Sequence, residues 1–217
     1  MLVTSISTAL AASAHSAAPR PALSTTPSPG NWTIPALIPV AGHDANGQPD
    51  PQGEIEIIIR DLANNPVPNS VVTLDFSNCA EVRLCADPHD PAAFVNCATR
   101  SVFKVTNVNG SVRFRVVGCS AGIPGQAGSG PACARVYADG VLAASPSVTI
   151  HDLADCDGLR ACDLGAWLTD FFGGLNPARG DYDGSGFMGP ADLGQWLGVF
   201  FADGSLANCS NGGPCGP

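Results

Sequence analysis

The residues best suited to chemistry lie in the twelve-residue segment 181–192 (DYDGSGFMGPAD). Oxygen-bearing side chains occupy its positions 1, 3, 5 and 12, and glycine occupies position 6, where a ligand loop must turn sharply. The residue at position 7 can offer its carbonyl, and the glycine at position 9 leaves room for a water molecule. Calcium takes about six to eight oxygen ligands. The sequence therefore predicts a calcium site formed by Asp181, Asp183, Ser185, Phe187 and Asp192.

A turn that only caps the following helix, without a metal, would use some of the same residues. Pro190 suits the first helical turn, where its missing N–H costs nothing, and Asp192 faces the positive end of the helix dipole. The sequence favours calcium over this alternative because the ligand types, the glycine at position 6 and the apolar segment that follows all agree.

An imperfect copy of this loop lies 29 residues upstream, at 152–163 (DLADCDGLRACD). Alanine and cysteine replace the ligands at positions 3 and 5, and aspartate replaces the glycine at position 6. Calcium binding is therefore predicted to be weak or lost here, and we hypothesise that a Cys156–Cys162 disulfide braces this first loop. Its candidate ligands are Asp152, Asp155, Asp157 and Asp163.

Each loop leads into a segment with helical periodicity, 163–172 (DLGAWLTDFF) and 192–201 (DLGQWLGVFF). Apolar residues recur at i, i+3, i+4, i+7 and i+8, which indicates one face of an amphipathic helix. Helices this short are marginal alone in water, so we expect them to pack on each other. The predicted faces are Leu164, Trp167, Leu168, Phe171 and Phe172 in the first helix, and Leu193, Trp196, Leu197, Phe200 and Phe201 in the second.

Residues 31–150 are dominated by strand signals. A segment containing two prolines, 33–40, is predicted as an edge strand, because proline cannot donate to a central ladder. The segments 107–110 (NVNG) and 139–140 (DG) have the composition of hairpin turns. Short strands separated by such turns predict a two-sheet β-sandwich. The other predicted strands are 54–60, 71–77, 101–106, 111–117, 132–138, 141–143 and 147–150.

Composition indicates an extracellular protein and argues against other classes. The net charge is −9, and the ten basic residues form no basic run, which disfavours nucleic-acid binding. The chain has no stretch of eighteen apolar residues, so a membrane-spanning helix is not expected. Nine cysteines favour disulfides, with at least one cysteine left over, against the alternative of buried thiols in a reducing cell. Their connectivity cannot be deduced from sequence.

Two resemblances to known families follow from these motifs. The loop and helix motifs of residues 151–202 resemble a type I dockerin repeat pair, in which an EF-hand-like loop ending in Asp precedes each helix. The turn 64–69 (NNPVPN), the segment 106–114 (TNVNGSVRF) and the segment 134–140 (ARVYADG) resemble a bacterial immunoglobulin-like domain of the invasin/intimin kind. These resemblances imply calcium as the cofactor and a spacer or adhesive domain without an active site.

The expected fold class is mainly β, an immunoglobulin-like β-sandwich followed by a small α-helical dockerin-like calcium-binding domain. The expected organisation is a leader or secretion signal with a Pro/Ser linker at 1–30, the sandwich at 31–150, the helix pair at 151–205 and a cysteine-containing tail at 206–217.

The expected function is that of a secreted or cell-surface, calcium-stabilised structural or adhesive protein, a subunit of an extracellular fibrous assembly. No catalytic motif such as HExxH or GxSxG occurs, so the chain is not expected to be an enzyme. The expected partner is a second copy, through donation of 32–42 as an edge strand and formation of a homo-polymer, although pairing of that segment within its own sandwich is favoured. The alternative function is docking to a cohesin-like protein in a carbohydrate-degrading complex.

Overall fold

The computed structural model describes residues 27–43, 48–121, 132–154, 156, 158–174, 177–203, 209 and 214–215. Within these residues the chain is mainly β and forms two sheets, which confirms that part of the predicted fold class. The strands are β1 Leu37–Ala41, β2 Glu54–Ile58, β3 Val71–Asp75, β4 Val82–Cys85, β5 Phe94–Asn96, β6 Ser101–Val105, β7 Ser111–Ser120, β8 Arg135–Ala138, β9 Val141–Ala144, β10 Ser147–Ile150 and β11 Pro214–Cys215.

The first sheet has the order β10-β1-β7-β4-β11, with β2 also paired to β7, and the second has the order β5-β6-β3-β8-β9. Apolar and polar side chains alternate along the strands, as expected when one face of a sheet packs on the core. On β7 the buried side chains are Val112, Phe114 and Val116, and those on the other face are Arg113 and Arg115. Both sheets contribute to one hydrophobic cluster, for example through Ile57 and Leu74. Burial of this apolar surface provides the main driving force for folding.

The turn at 107–110 is confirmed, but the hairpin predicted around it is wrong. Gly110 donates its N–H to the Asn107 carbonyl (2.9 Å) and has φ of 69°. A Cβ there would lie 2.5 Å from the Ile59 carbonyl oxygen, so the position requires glycine. The flanking strands do not pair: β6 joins the second sheet and β7 the first. The Asp139-Gly140 turn does connect the paired strands β8 and β9.

The strand predicted at 33–40 is not an edge strand, because β1 lies between β10 and β7 and is parallel to both. The carbonyls of Ala36 and Val40 accept N–H groups of Ser147 and His151, so these residues face β10. Pro39 faces the opposite side, where pairing with β7 begins only at Val40. The missing N–H of Pro39 therefore interrupts no ladder, and the segment pairs within its own chain.

The described C-terminal segment contains three short helices, α1 Ala161–Gly173, α2 Pro177–Gly180 and α3 Pro190–Asp203. The predicted dockerin-like helical pair is wrong, since the chain is mostly β and its helices pack into the β core. The Trp196 indole N–H donates to the His151 carbonyl (3.0 Å), and the Tyr182 hydroxyl donates to the Ile150 carbonyl (2.8 Å) at the end of β10. The strands provide the surface that each short helix needs.

The buried helical faces agree with the predicted ones only in part: both tryptophans are buried and the predicted leucines pack against the core, but other predicted residues are exposed. On α1 the buried residues are Asp163, Ala166, Trp167 and Asp170, whereas Phe172 is 80% exposed. The buried face is rotated toward the two aspartates because each carboxylate finds hydrogen-bond donors inside the protein. Burial of a carboxylate is tolerated only with such partners. The equivalent positions Asp192, Trp196 and Val199 are buried on α3.

Four disulfides confirm that the cysteines are oxidised, but the pairs are long-range. The predicted Cys156–Cys162 bridge is wrong: Cys156 pairs with Cys119 on β7, and Cys162 keeps its thiol. The described tail residues Cys209 and Cys215 are both tied to the β region. The segment 78–100, in which no strand was predicted, contributes β4 and β5. The four pairs are Cys79–Cys133, Cys85–Cys209, Cys97–Cys215 and Cys119–Cys156.

Candidate metal centre

Loop two, defined as residues 181–192, gathers three carboxylates at one place. Asp181, Asp183 and Asp192 each offer an oxygen, and these oxygens all lie within 4.8 Å of one another. Asp181 and Asp192 are buried, while Asp183 is exposed. None of the three forms an ion pair with a Lys, Arg or His of the described residues. Like charges at this distance repel, so the cluster suits a cation.

The backbone of loop two is arranged around these carboxylates. Asp181 accepts the N–H groups of Ser185 (2.9 Å) and Gly186 (2.7 Å), and Gly186 has φ of 91° as position 6 requires. Asp192 accepts the N–H groups of Asp183 (3.0 Å) and Gly189 (2.7 Å). A carboxylate has about four lone-pair sites, so each retains lone pairs for a metal.

Two further oxygens belong to the same loop. The Ser185 hydroxyl donates to the Phe187 carbonyl (3.0 Å) and also lies 3.4 Å from Asp181 Oδ1. The structure therefore brings together the predicted ligands of loop two, with carboxylate, hydroxyl and carbonyl oxygens only. This is the hard donor set that calcium prefers.

The electrostatics of the cluster depend on burial. Burial raises the pKa of Asp181, and the neighbouring carboxylates Asp183 and Asp192 raise it further. Hydrogen bonds from Ser185 instead lower the pKa of the exposed Asp183. The raised pKa of Asp181 indicates that its negative charge is disfavoured by its surroundings, and a bound cation would remove that penalty.

Loop one, defined as residues 152–163, has the same hydrogen-bond frame with fewer ligands. Asp163 accepts the N–H groups of Leu153 (2.7 Å), Ala154 (2.9 Å) and Arg160 (2.7 Å). Two of these bonds have equivalents in loop two, 29 residues later. Asp183 takes the place of Ala154 and Gly189 takes the place of Arg160, and both donate to Asp192. Asp152 likewise accepts the N–H groups of Cys156 (3.2 Å) and Gly158 (3.0 Å). The other candidate ligands, Asp155 and Asp157, lie outside the described residues.

The two loops differ at positions 3 and 5, where loop one lacks the oxygen-bearing side chains of loop two. Ala154 stands where loop two has Asp183, and Cys156 stands where loop two has Ser185. The sulfur of Cys156 is bonded to Cys119, which attaches loop one to β7. Among the described residues, only loop two contains three acidic or ligating side chains close enough to share an ion.

A buried ion-pair network beside the loops was not predicted from the sequence. Arg179 of α2 is fully buried, donating to Asp170 Oδ2 (2.5 Å) and Oδ1 (2.8 Å) and to Glu81 (3.2 Å). It also donates to the Ser120 hydroxyl (3.3 Å). The network joins α1 and α2 to β7 and to the residue before β4. The only feature of the sequence that indicated this network was Asp170, an acidic residue three positions after the apolar Trp167 in the predicted helix.

His151 and Tyr182 connect the two loops. His151 precedes Asp152, Tyr182 follows Asp181, and their rings stack with centroids 4.7 Å apart. Burial lowers the pKa of His151, whose Nδ1 lies 3.3 Å from the Val40 carbonyl oxygen. Burial also raises the pKa of Tyr182 well above its usual value of 10.0. Both rings are therefore neutral at pH 7.

Comparison with known proteins assigns no relative: no family model, curated protein or solved structure matches this chain. The dockerin and invasin/intimin family assignments are wrong because the described chain is mostly β with three short helices, and no match supports either assignment. They rested on short loop and turn motifs. Turn residues and ligand spacing reflect local chemistry that unrelated folds can share.

Proposed function

We propose that this chain is an extracellular structural protein in which loop two binds calcium, and that calcium stabilises the β scaffold to which the loop is attached. The observation that supports the proposal is the convergence of Asp181, Asp183 and Asp192 within 4.8 Å. Calcium would be held by these carboxylates together with the Ser185 hydroxyl and the Phe187 carbonyl, and it would supply the positive charge that the cluster lacks.

The scaffold suits a structural role. Its two sheets share one hydrophobic cluster, which we interpret as a β-sandwich. Loop two is attached to that core through Tyr182, and the helix α3 that follows the loop is attached through Trp196. Binding that favours the folded state stabilises it by mass action. Calcium at loop two would thus oppose unfolding of the strands as well as of the loop.

Four disulfides are consistent with an oxidising, extracellular location. None of the helices in the described residues is long and apolar enough to cross a membrane. Secretion, a role in adhesion, assembly into a homo-polymer and the absence of catalysis stay predictions of the sequence.

The test is the effect of calcium on thermal stability. Extracellular modules typically bind calcium with a Kd of about 10⁻⁴–10⁻³ M. At 10 mM calcium such a site would stabilise the chain by about 1.4–2.7 kcal/mol. We expect the Tm to rise with calcium relative to chelator, and Asp183→Asn to reduce the rise because this exposed carboxylate faces the cluster.

Asp75→Asn is the matched control. Asp75 accepts the N–H of the residue two positions later (2.8 Å), as Asp183 does (2.9 Å), but it lies on β3. This variant should keep the full calcium response. A Tm that is equal in calcium and chelator, or a response that survives Asp183→Asn and Asp181→Asn, would contradict the proposal.

A further inference from the structure

Four basic residues surround two adjoining depressions in the surface. Lys104, Arg113 and Arg115 line the smaller depression, of about 290 Å³. Lys104 and Arg113 also line the larger one, of about 670 Å³, together with Arg60. We call the two depressions the cationic groove. Three carboxylates also belong to the described lining, so the two depressions together carry a formal net charge of +1 in a chain whose net charge is −9.

Two of these cations are held by carboxylates. The Lys104 amine donates to Asp90 Oδ2 (2.7 Å) and to the Arg113 carbonyl (2.6 Å), which places it between β6 and β7. Arg115 lies 2.7 Å from Glu54 on the neighbouring strand β2. These pairs give the groove a fixed charged wall.

The other two cations are weakly engaged. The Arg113 side chain is 64% exposed, and its ion pairs with Glu54 and Glu56 are long, at 3.8 and 3.6 Å. Arg60 donates to two neutral oxygens, the Asn31 carbonyl (3.5 Å) and the Thr33 hydroxyl (3.3 Å). Guanidinium groups with such contacts can still bind two oxygens of a carboxylate or of a tetrahedral oxyanion such as sulfate.

The lining indicates which kind of anion fits. The described lining of the larger depression has one acidic residue, Glu56, against three cations, and its other polar side chains are those of Asn107, Asn109 and Ser111. Amides and hydroxyls hydrogen-bond sugar hydroxyl groups. Among the described residues, no Phe, Tyr or Trp lines either depression, so this lining offers none of the stacking surfaces that single-stranded nucleic acids use. Two open, adjoining depressions suit an extended chain with repeated charges.

We propose that the cationic groove binds an anionic polysaccharide, with sulfate or carboxylate groups of the chain engaging Arg60 and Arg113. Glu56 competes for Arg113 and limits the affinity. This site is separate from loop two, and the proposal does not depend on calcium binding there.

The experiment measures binding of the full chain to dextran sulfate, to hyaluronate and to neutral dextran by calorimetry at low salt and fixed calcium. We expect one or both charged polymers to bind and neutral dextran not to bind. Stronger binding of dextran sulfate would indicate a preference for sulfate, and stronger binding of hyaluronate a preference for carboxylate. Arg60→Gln and Arg113→Gln should each weaken binding about two- to fivefold, the range for a single exposed ion pair, and Glu56→Gln should strengthen it. Added salt should weaken binding.

Arg160→Gln is the matched control, because Arg160 is exposed, carries the same charge and lies outside the groove. It should bind as the unmodified chain does. The proposal is overturned if neither charged polymer binds, if the groove variants bind as Arg160→Gln does, or if a single-stranded DNA oligonucleotide binds equally well. Circular dichroism of each variant establishes that it is folded.

Discussion

Loop one and loop two are copies that each hold two carboxylates in the same backbone frame, but among the described residues only loop two brings a third carboxylate close to them. Asp163 and Asp192 accept equivalent N–H groups at the start of α1 and α3. Loop one adds a third N–H at Asp163 and a disulfide at Cys156, whereas loop two adds two further oxygens and a carboxylate at Asp183.

The difference teaches that one loop geometry can be stabilised in two ways. In loop one, backbone donors and a covalent bond to β7 hold the buried carboxylates. In loop two, the same backbone leaves an excess of negative charge that an external cation can neutralise. Under the proposed function, calcium dependence would be a property of the residues at positions 3 and 5 rather than of the loop shape.

The largest effect should come from removing the covalent attachment of loop one. The Cys119–Cys156 bond links residues 37 apart in sequence, so replacing both cysteines with alanine should lower the free energy of unfolding by about 2–4 kcal/mol. Urea unfolding at fixed calcium measures this. Cys162→Ala should change stability by less than about 0.5 kcal/mol. Loss of calcium affinity in the double variant would show that the loops are not independent.

The matched variants Asp163→Asn and Asp192→Asn compare the carboxylates directly. In chelator we expect Asp163→Asn to lower the free energy of unfolding by about 1.5–3 kcal/mol, because three backbone N–H groups lose a charged acceptor. Asp192→Asn should cost less, because it also relieves repulsion with Asp181. In calcium, the difference in unfolding free energy between the two variants should become smaller or change sign, because Asp192→Asn loses a calcium ligand. If the two variants lost the same unfolding free energy in chelator and also in calcium, the proposed difference between the loops would be wrong.

The pH dependence tests the junction between the loops. Because burial holds the pKa of His151 below its usual value of 6.5, the unfolded chain takes up a proton that the folded chain does not. Stability should therefore decrease as the pH falls from about 6.5 toward the folded pKa. His151→Phe keeps the stacking on Tyr182 and should flatten this part of the profile, measured by urea unfolding in calcium. A profile unchanged by the substitution would contradict this account.

The smallest effect should come from restoring a ligand to loop one. Ala154→Asp places a carboxylate at position 3, where loop two has Asp183, and we expect a second, weaker calcium-binding event in calorimetry. Ala154→Asn, with an oxygen but no charge, should give a smaller signal. Two equal events in the unmodified chain would mean that loop one already binds calcium.

Local signals in the sequence were sufficient for most of the strands, for the turns and for the spacing of the oxygen atoms in loop two, but not for β4, β5 and β11. The predicted strands 54–60, 71–77, 101–106 and 111–117 correspond to β2, β3, β6 and β7, and Asp139-Gly140 predicted a hairpin that forms. The ligands of loop two lie within twelve residues, so their spacing determines which oxygens can meet. Such signals depend on backbone geometry over a few residues and do not require knowledge of the rest of the chain.

Only the tertiary structure decided which distant elements meet. The turn at 107–110 is correct, yet its strands join different sheets, and Cys156 pairs with Cys119 instead of its neighbour Cys162. The burial of Arg179 with Asp170 and Glu81 likewise depends on α1, α2 and the β region packing together. These choices depend on the total free energy of burying surfaces and pairing charges across the whole fold. That free energy cannot be deduced from any short segment of the sequence.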